Sequence, residues 1–127
     1  LIAASLALSV APAAASAHHS FAMFDRSRTD TIVGTVKALE MVNPHAWLRV
    51  LVADPQGRPQ EWSMEMGGPG QLERNGWTTN AVQPGDKVSV VIHPLRDGSY
   101  GGQGVSMTLS NSKVLTDRQP PRPGNEP

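Results

Sequence analysis

Proline and glycine punctuate this chain so densely that a helical fold is out of reach. From Gly34 to Gly104 one or the other interrupts every segment before a helix of ordinary length, about 11–12 residues, is complete. What survives between the interruptions is short, rich in β-branched residues and often alternating, which is strand patterning. Residues 31–39 (TIVGTVKAL) carry Gly34 at an expected bend or bulge. Residues 46–53 (AWLRVLVA) are apolar on both faces for much of their length, as suits a central strand. Residues 60–66 (QEWSMEM) put Trp62, Met64 and Met66 on one face and Glu61, Ser63 and Glu65 on the other. Residues 87–93 (KVSVVIH) align Val88, Val90 and Ile92, and residues 105–109 (VSMTL) alternate again. Residues 113–115 suggest a short edge, and 94–104 (PLRDGSYGGQG) a long glycine-rich hairpin loop.

One segment, 70–75 (GQLERN), has helix formers and stops at Gly76, a suitable residue to follow a helix. Turns fall at Asn43-Pro44, at Asp54-Pro55-Gln56-Gly57 and at Pro84-Gly85-Asp86. The order is therefore β-β-β-α-β-β. Five short strands close one small core most economically as an all-β, OB-fold-like barrel, with the helix plugging between strands three and four. A small β-sandwich is the alternative architecture. The expected core is Ile32, Val36, Leu48, Val50, Val52, Trp62, Met64, Val88, Val90, Ile92, Val105, Met107 and Leu109.

Both ends read as separate from this domain. Residues 1–17 (LIAASLALSVAPAAASA) carry no charge and close on the small-x-small pattern Ala15-Ser16-Ala17. That is the apolar region and cleavage site of a secretory signal peptide, without its basic start. The run is too short for a membrane span, which needs about 20 apolar residues. Cleavage after Ala17 leaves a chain that begins at His18, is exported to the periplasm and does not span a membrane. Residues 18–27 then form an N-terminal arm, 28–116 the barrel, and 117–127 a disordered proline-rich tail.

Charge narrows the function. Lys and Arg total 11 against 11 Asp and Glu, so there is no basic face for a nucleic acid. The absence of cysteine removes disulfides, thiolate catalysis and cysteine-based zinc sites. The four histidines, His18, His19, His45 and His93, are the main chemical signal. Cleavage would free an α-amine on His18, and that amine and Nδ1 can close a chelate ring on one metal. Nitrogen ligands favour Cu(II) among the first-row ions. His45 and His93 sit beside prolines at strand ends, next to two loops that an OB-fold places on one side of its barrel. The expected metal ligands are therefore His18, His19, His45 and His93, and the expected ion is copper. The bland reading is that His45 satisfies turn carbonyls, His93 is a half-buried strand end, and the N-terminal pair is solvated.

His18-His19-Ser20-Phe21, Asn43-Pro44-His45 with Trp47, Glu61-Trp62-Ser63, Gly76-Trp77, Pro84-Gly85-Asp86-Lys87-Val88 and His93-Pro94-Leu95 occur in this order. The series resembles an uncharacterised family of exported Gram-negative bacterial proteins classed as a domain of unknown function. The resemblance implies export and a small β-barrel, and no reaction. Trp62, Met64 and Met66, with Gly85-Asp86-Lys87-Val88, are also similar to a periplasmic OB-fold copper and silver chaperone. That likeness implies a soft thioether site, although no histidine lies close upstream of Trp62 and the same three residues are ordinary barrel core.

No catalytic motif emerges. The G-x-S-x-G elbow is absent. Glu61 and Glu65 share a strand face and suggest paired carboxylates, but two glutamates on a polar face are more often solvation; Glu65 alone suits an oxygen ligand or a partner that orients a histidine. The expected function is an exported copper carrier or sensor, not an enzyme. A copper-dependent oxidase is a weaker reading. The main alternative is a metal-free module that binds an envelope protein, a glycan or a lipid through the open barrel face.

Overall fold

The computed structural model describes residues 21–117. A single 3-10 turn, Phe21–Met23, precedes six strands and one helix: β1 (Asp30–Glu40), β2 (Trp47–Ala53), β3 (Pro59–Glu65), α1 (Pro69–Arg74), β4 (Lys87–Pro94), β5 (Gly101–Leu109) and β6 (Val114–Thr116). The sheet runs β3-β2-β1-β4-β5-β6, and β3 also pairs with β5. That extra contact closes five strands in the cyclic order 1-2-3-5-4, leaving β6 as an appended edge. The expected all-β, OB-fold-like barrel is the architecture found.

The long β1 makes the closure possible because it serves two neighbours. Its first half, Asp30 to Thr35, pairs with β4, and its second half, Thr35 to Glu40, pairs with β2. The hand-over lies at Thr35, and at Gly34 just before it a Cβ would collide with the Leu51 carbonyl oxygen and stand 2.8 Å from Val50 Cγ1. The bulge itself comes after it, between Val36 and Ala38. Glycine at position 34 is thus needed for close approach of two backbones.

The alternating strands deliver the expected core. Ile32, Val36, Leu48, Val50, Met64, Val88, Val90, Ile92 and Met107 are buried, with Val52, Trp62 and Leu109 packed against them. Val105 departs from this pattern. On β5, Ser106 pairs with Val91 but Gly104 pairs with Ile92, so Val105 is the unpaired residue of a bulge and stays half-buried. The hairpin loop is also shorter than expected. Residues Gly101 to Gly104 belong to β5, with backbones pressed against β3 and β4.

Helix α1 and the segment after it seal the barrel with residues that strand periodicity does not reveal. Leu72 and Trp77 are fully buried, and Val82 nearly so. The end of β6 clasps this plug. Trp77 Nε1 donates to the Thr116 carbonyl at 2.9 Å, and Gln71 Nε2 and Asn75 Nδ2 each donate to the Asp117 carbonyl at 2.8 Å. The Asp117 carboxylate accepts the Gly67 amide at 2.7 Å, and Asp117 is only 3% exposed. The ordered fold therefore reaches Asp117.

Gly34→Ala tests the hand-over in β1. The added Cβ meets backbone, which cannot swing aside, so urea unfolding should show a loss of about 1–3 kcal/mol, the usual range for overpacking. An unchanged midpoint would show that β1 and β2 do not pack this closely.

Candidate functional site

The segment before β1 folds back as a strap over the outside of the barrel. Phe24 bridges to Leu95 and is 4% exposed. Asp25 N donates to the Pro94 carbonyl at 2.8 Å, Arg96 N to the Met23 carbonyl at 2.9 Å, and Arg96 Nε to the Ala22 carbonyl at 3.0 Å. The start of the strap is thereby fastened to the end of β4 and the loop that follows.

Beneath this strap lies the side chain of Glu65, at the end of β3. Its strand face carries Glu61, Ser63 and Glu65, the polar set in the sequence, yet Glu65 is only 6% exposed. Its Oε1 stands 2.6 Å from His45 Nδ1. Opposite a carboxylate, Nδ1 carries the proton, and in the neutral ring the lone pair then falls on Nε2. The His45 side chain is 38% exposed. Glu65 Oε2 is buried and has no hydrogen-bond partner. A recess of about 180 Å³ adjoins this glutamate, lined by Met23, Phe24, Trp47, Leu95 and Tyr100 together with Ser63 and Gly102.

His45 is placed by the turn that ends β1 and begins β2. Ala46 N donates to the Gly67 carbonyl and Met66 N to the Ala46 carbonyl, which extends the β2–β3 ladder just past Trp47. His45 is thereby held next to Trp47, which pairs with Glu65.

His93 lies at the same level of the barrel. Across the sheet, Trp47 pairs with Glu65, Glu65 with Gln103, and Gln103 with His93. Adjacent strands are about 4.8 Å apart, so His93 is two strands, roughly 10 Å, from Glu65. Its Nδ1 donates to the Arg28 carbonyl at 2.8 Å. A carbonyl only accepts, so Nδ1 of His93 carries a proton, and in the neutral ring the lone pair falls on Nε2. His93 lines a separate recess of about 110 Å³ with Arg26, Gln103 and Asp117. Among the described residues, no three His, Asp or Glu side chains converge as a ligand set. His18 and His19 lie outside the described residues.

The remaining expectations sort clearly. Met64 and Met66 are 0% and 3% exposed, inside the core, and Trp62 packs beside them with Tyr100 at 5.4 Å between ring centroids. Their alternation is that of core filler, so the soft metal set suggested by the chaperone likeness is not assembled on the surface. Glu61 and Glu65 are four residues apart along β3, about 13 Å, too far to act as a pair. Glu61 is instead bound to Lys37, whose ammonium holds its carboxyl below the ordinary value. Aromatic and strap residues around Glu65 were not legible as a site. Trp47 was noted only as part of a motif, and the cover supplied by Met23 and Phe24 has no periodicity to reveal it.

The fold and this outer-face recess define a small β-barrel with a histidine–carboxylate pair under an N-terminal strap. The chain belongs to a family of unknown function (DUF6152), whose model matches residues 6–105. No curated protein and no solved structure is a significant match to the chain. Among the described residues no helix is long and apolar enough to cross a membrane.

Two predictions follow the geometry. His45→Ala leaves a buried carboxylate without its donor and should cost about 1–3 kcal/mol. In a Glu65→Met background the same substitution should cost less than about 0.5 kcal/mol, because no acceptor remains to be orphaned. Equal losses in both backgrounds, measured by denaturant unfolding, would mean that the pair is not coupled.

The second concerns the strap. The Asp25 carboxyl is held below its ordinary value of 3.8, chiefly by the Ser27 hydroxyl and then by the Ser27 amide. A depressed carboxylate stabilises the fold above the unfolded value and loses that contribution as pH falls through the folded one. Amide exchange at Asp25 and Arg96 should therefore show steady protection down to about pH 4 and loss of it below. Loss of protection between pH 5 and 7 would contradict this.

Proposed function

We propose that the chain is an exported periplasmic copper-binding protein, a carrier or sensor rather than a catalyst. The observation that carries the reading is the His45–Glu65 pair. A carboxylate on Nδ1 orients an imidazole and raises the basicity of Nε2, the arrangement that second-shell carboxylates give to metal-bound histidines. The remaining ligands of the reading are His18, through its amine and Nδ1, and His19. Met23 lines the Glu65 recess, and five residues of extended chain span at most about 18 Å, a reach that would let His18 and His19 meet His45. His93 stands two strands away in a recess of its own and is at most an accessory donor. Nitrogen donors then favour Cu(II).

Calorimetric titration with Cu(II) tests this on protein that begins at His18. Binding should be at least tenfold tighter than that of a free His-His-Ser-Phe peptide. His45→Ala should remove that advantage, and His93→Ala should reduce it less. Affinity equal to the peptide's, or indifference to His45→Ala, would end the copper reading.

The interaction-module reading has one observation in its favour. A groove of about 460 Å³ on the outer face is lined by Val33, Thr35, Leu51, Lys87, Ser89 and Leu109, with Val33 68% exposed. It lies about four residues along β4 from His93, and its occupant would be an envelope protein, a glycan or a lipid.

A further inference from the structure

Glu65 Oε2 is the only buried side-chain nitrogen or oxygen among the described residues that has no hydrogen-bond partner. An acceptor taken out of water without a donor is costly, and more so when it carries charge. Barrels avoid this by leaving carboxylates on the solvated face, where the alternation of β3 would otherwise keep this one. Here the strap covers it, and the cover adds no donor to it. Backbone bonds of the strap run to Pro94, Arg96 and His93 and within its own turn, and none reaches this oxygen. Arg49, the nearest cation on β2, directs its guanidinium to Glu40 and Ser63 and stacks over Trp47 at 5.1 Å.

The recess beside this glutamate is walled mainly by apolar and aromatic side chains, Phe24, Trp47, Tyr100, Leu95 and Met23, with Ser63 and Gly102 completing it. The volume, about 180 Å³, slightly exceeds the roughly 150 Å³ of an apolar cavity that takes up benzene. A recess of this size beside a single unanswered acceptor specifies its occupant in two parts. The body must be a small hydrocarbon or aryl group. The head must donate hydrogen bonds and, opposite a carboxylate, should be cationic.

We propose that this recess binds a small primary ammonium ion bearing an apolar or aryl group, with an N–H bonded to Glu65 Oε2 and the hydrocarbon part among Phe24, Trp47, Leu95 and Tyr100. An ammonium supplies three donors and the counter-charge in one group, and aromatic faces attract it further. An alcohol supplies a donor without the charge, and a toluene-like molecule neither. Oε2 is closed to solvent, so the head group enters as a side chain of the strap shifts. Met23 has room to do so: it is unbranched and 41% exposed. The proposal goes beyond the copper reading and does not rest on it, since the ammonium engages Oε2 and needs no metal.

The test is a titration of chelator-treated full chain with benzylammonium, followed by amide chemical shifts of Glu65, Trp47 and Tyr100. Benzyl alcohol and toluene serve as neutral comparators. Benzylammonium should bind saturably and at least tenfold more tightly than benzyl alcohol. Glu65→Gln should bring that preference below threefold while leaving the alcohol's affinity within threefold. Met23→Trp, which fills the cavity from the strap and leaves Glu65 intact, should weaken all the ligands that bind by at least tenfold. Equal binding of ammonium and alcohol, an unchanged preference in Glu65→Gln, or no saturable binding at all would each overturn the proposal. The copper titration is read separately, so failure of either reading leaves the other standing on its own data.

Discussion

The parallel contact between β3 and β5 is the constraint on which the rest of this molecule depends. It is short, joining Ser63, Met64 and Glu65 to Gly101, Gly102 and Gln103. It turns an open sheet into a barrel, and side chains would prevent it. A Cβ on Gly101 would strike the Ser63 carbonyl oxygen, one on Gly102 the His93 carbonyl oxygen, and one on Gly104 the Met66 sulfur. Gly101 is therefore the glycine that closure on β3 requires, while Gly102 lets β5 approach β4 and Gly104 makes room for the Met66 side chain. Closure also decides the chemistry of the outer face. It sets Glu65 beside Gln103, and Gln103 beside His93, in one row across the sheet.

How far this was legible follows from the same residues. The barrel could be read because its strands alternate and its turns carry Gly, Pro, Asn and Asp where the backbone needs them. The glycine run was misread as loop for a physical reason. Glycine marks both a turn and a place where two backbones touch, and only the neighbouring strand distinguishes them. Val105 was placed in the core because a strict period of two takes no account of a bulge. Leu72, Trp77 and Asp117 were missed because they belong to a plug and its clasp, contacts between segments about 40 residues apart.

The site was half legible. Alternation correctly put Glu65 on the face opposite Met64 and Met66, and the possibility that it orients a histidine was open from its chemistry. Its burial was not. That depends on the strap, whose hold on the barrel comes from backbone bonds at Met23, Asp25 and Arg96 and from one aromatic anchor, Phe24. None of these has a signature in spacing. His45 and His93 could be assigned to one level of the barrel, and they share it. Their convergence could not be assigned, because the insertion of β5 between β3 and β4 puts Gln103 between them.

A carboxylate held in this way has two faces with different uses. In the two proposals Oε1 holds the His45 proton on Nδ1 and leaves Nε2 for a metal, whereas Oε2 meets the ammonium. The copper and ammonium readings thus share one residue without sharing an atom. An ammonium on Oε2 draws charge away from the carboxylate and weakens the push that Oε1 exerts on the imidazole, so Nε2 becomes a poorer ligand. A cation on Nε2 in turn withdraws charge from Glu65 and makes Oε2 a poorer acceptor. Binding at the two sites would then be mutually unfavourable, and by linkage each ligand must weaken the other by the same factor. In that arrangement the strap governs both: while Phe24 stays seated against Leu95, the carboxylate remains desolvated, and a desolvated carboxylate interacts more strongly with a charge on either side.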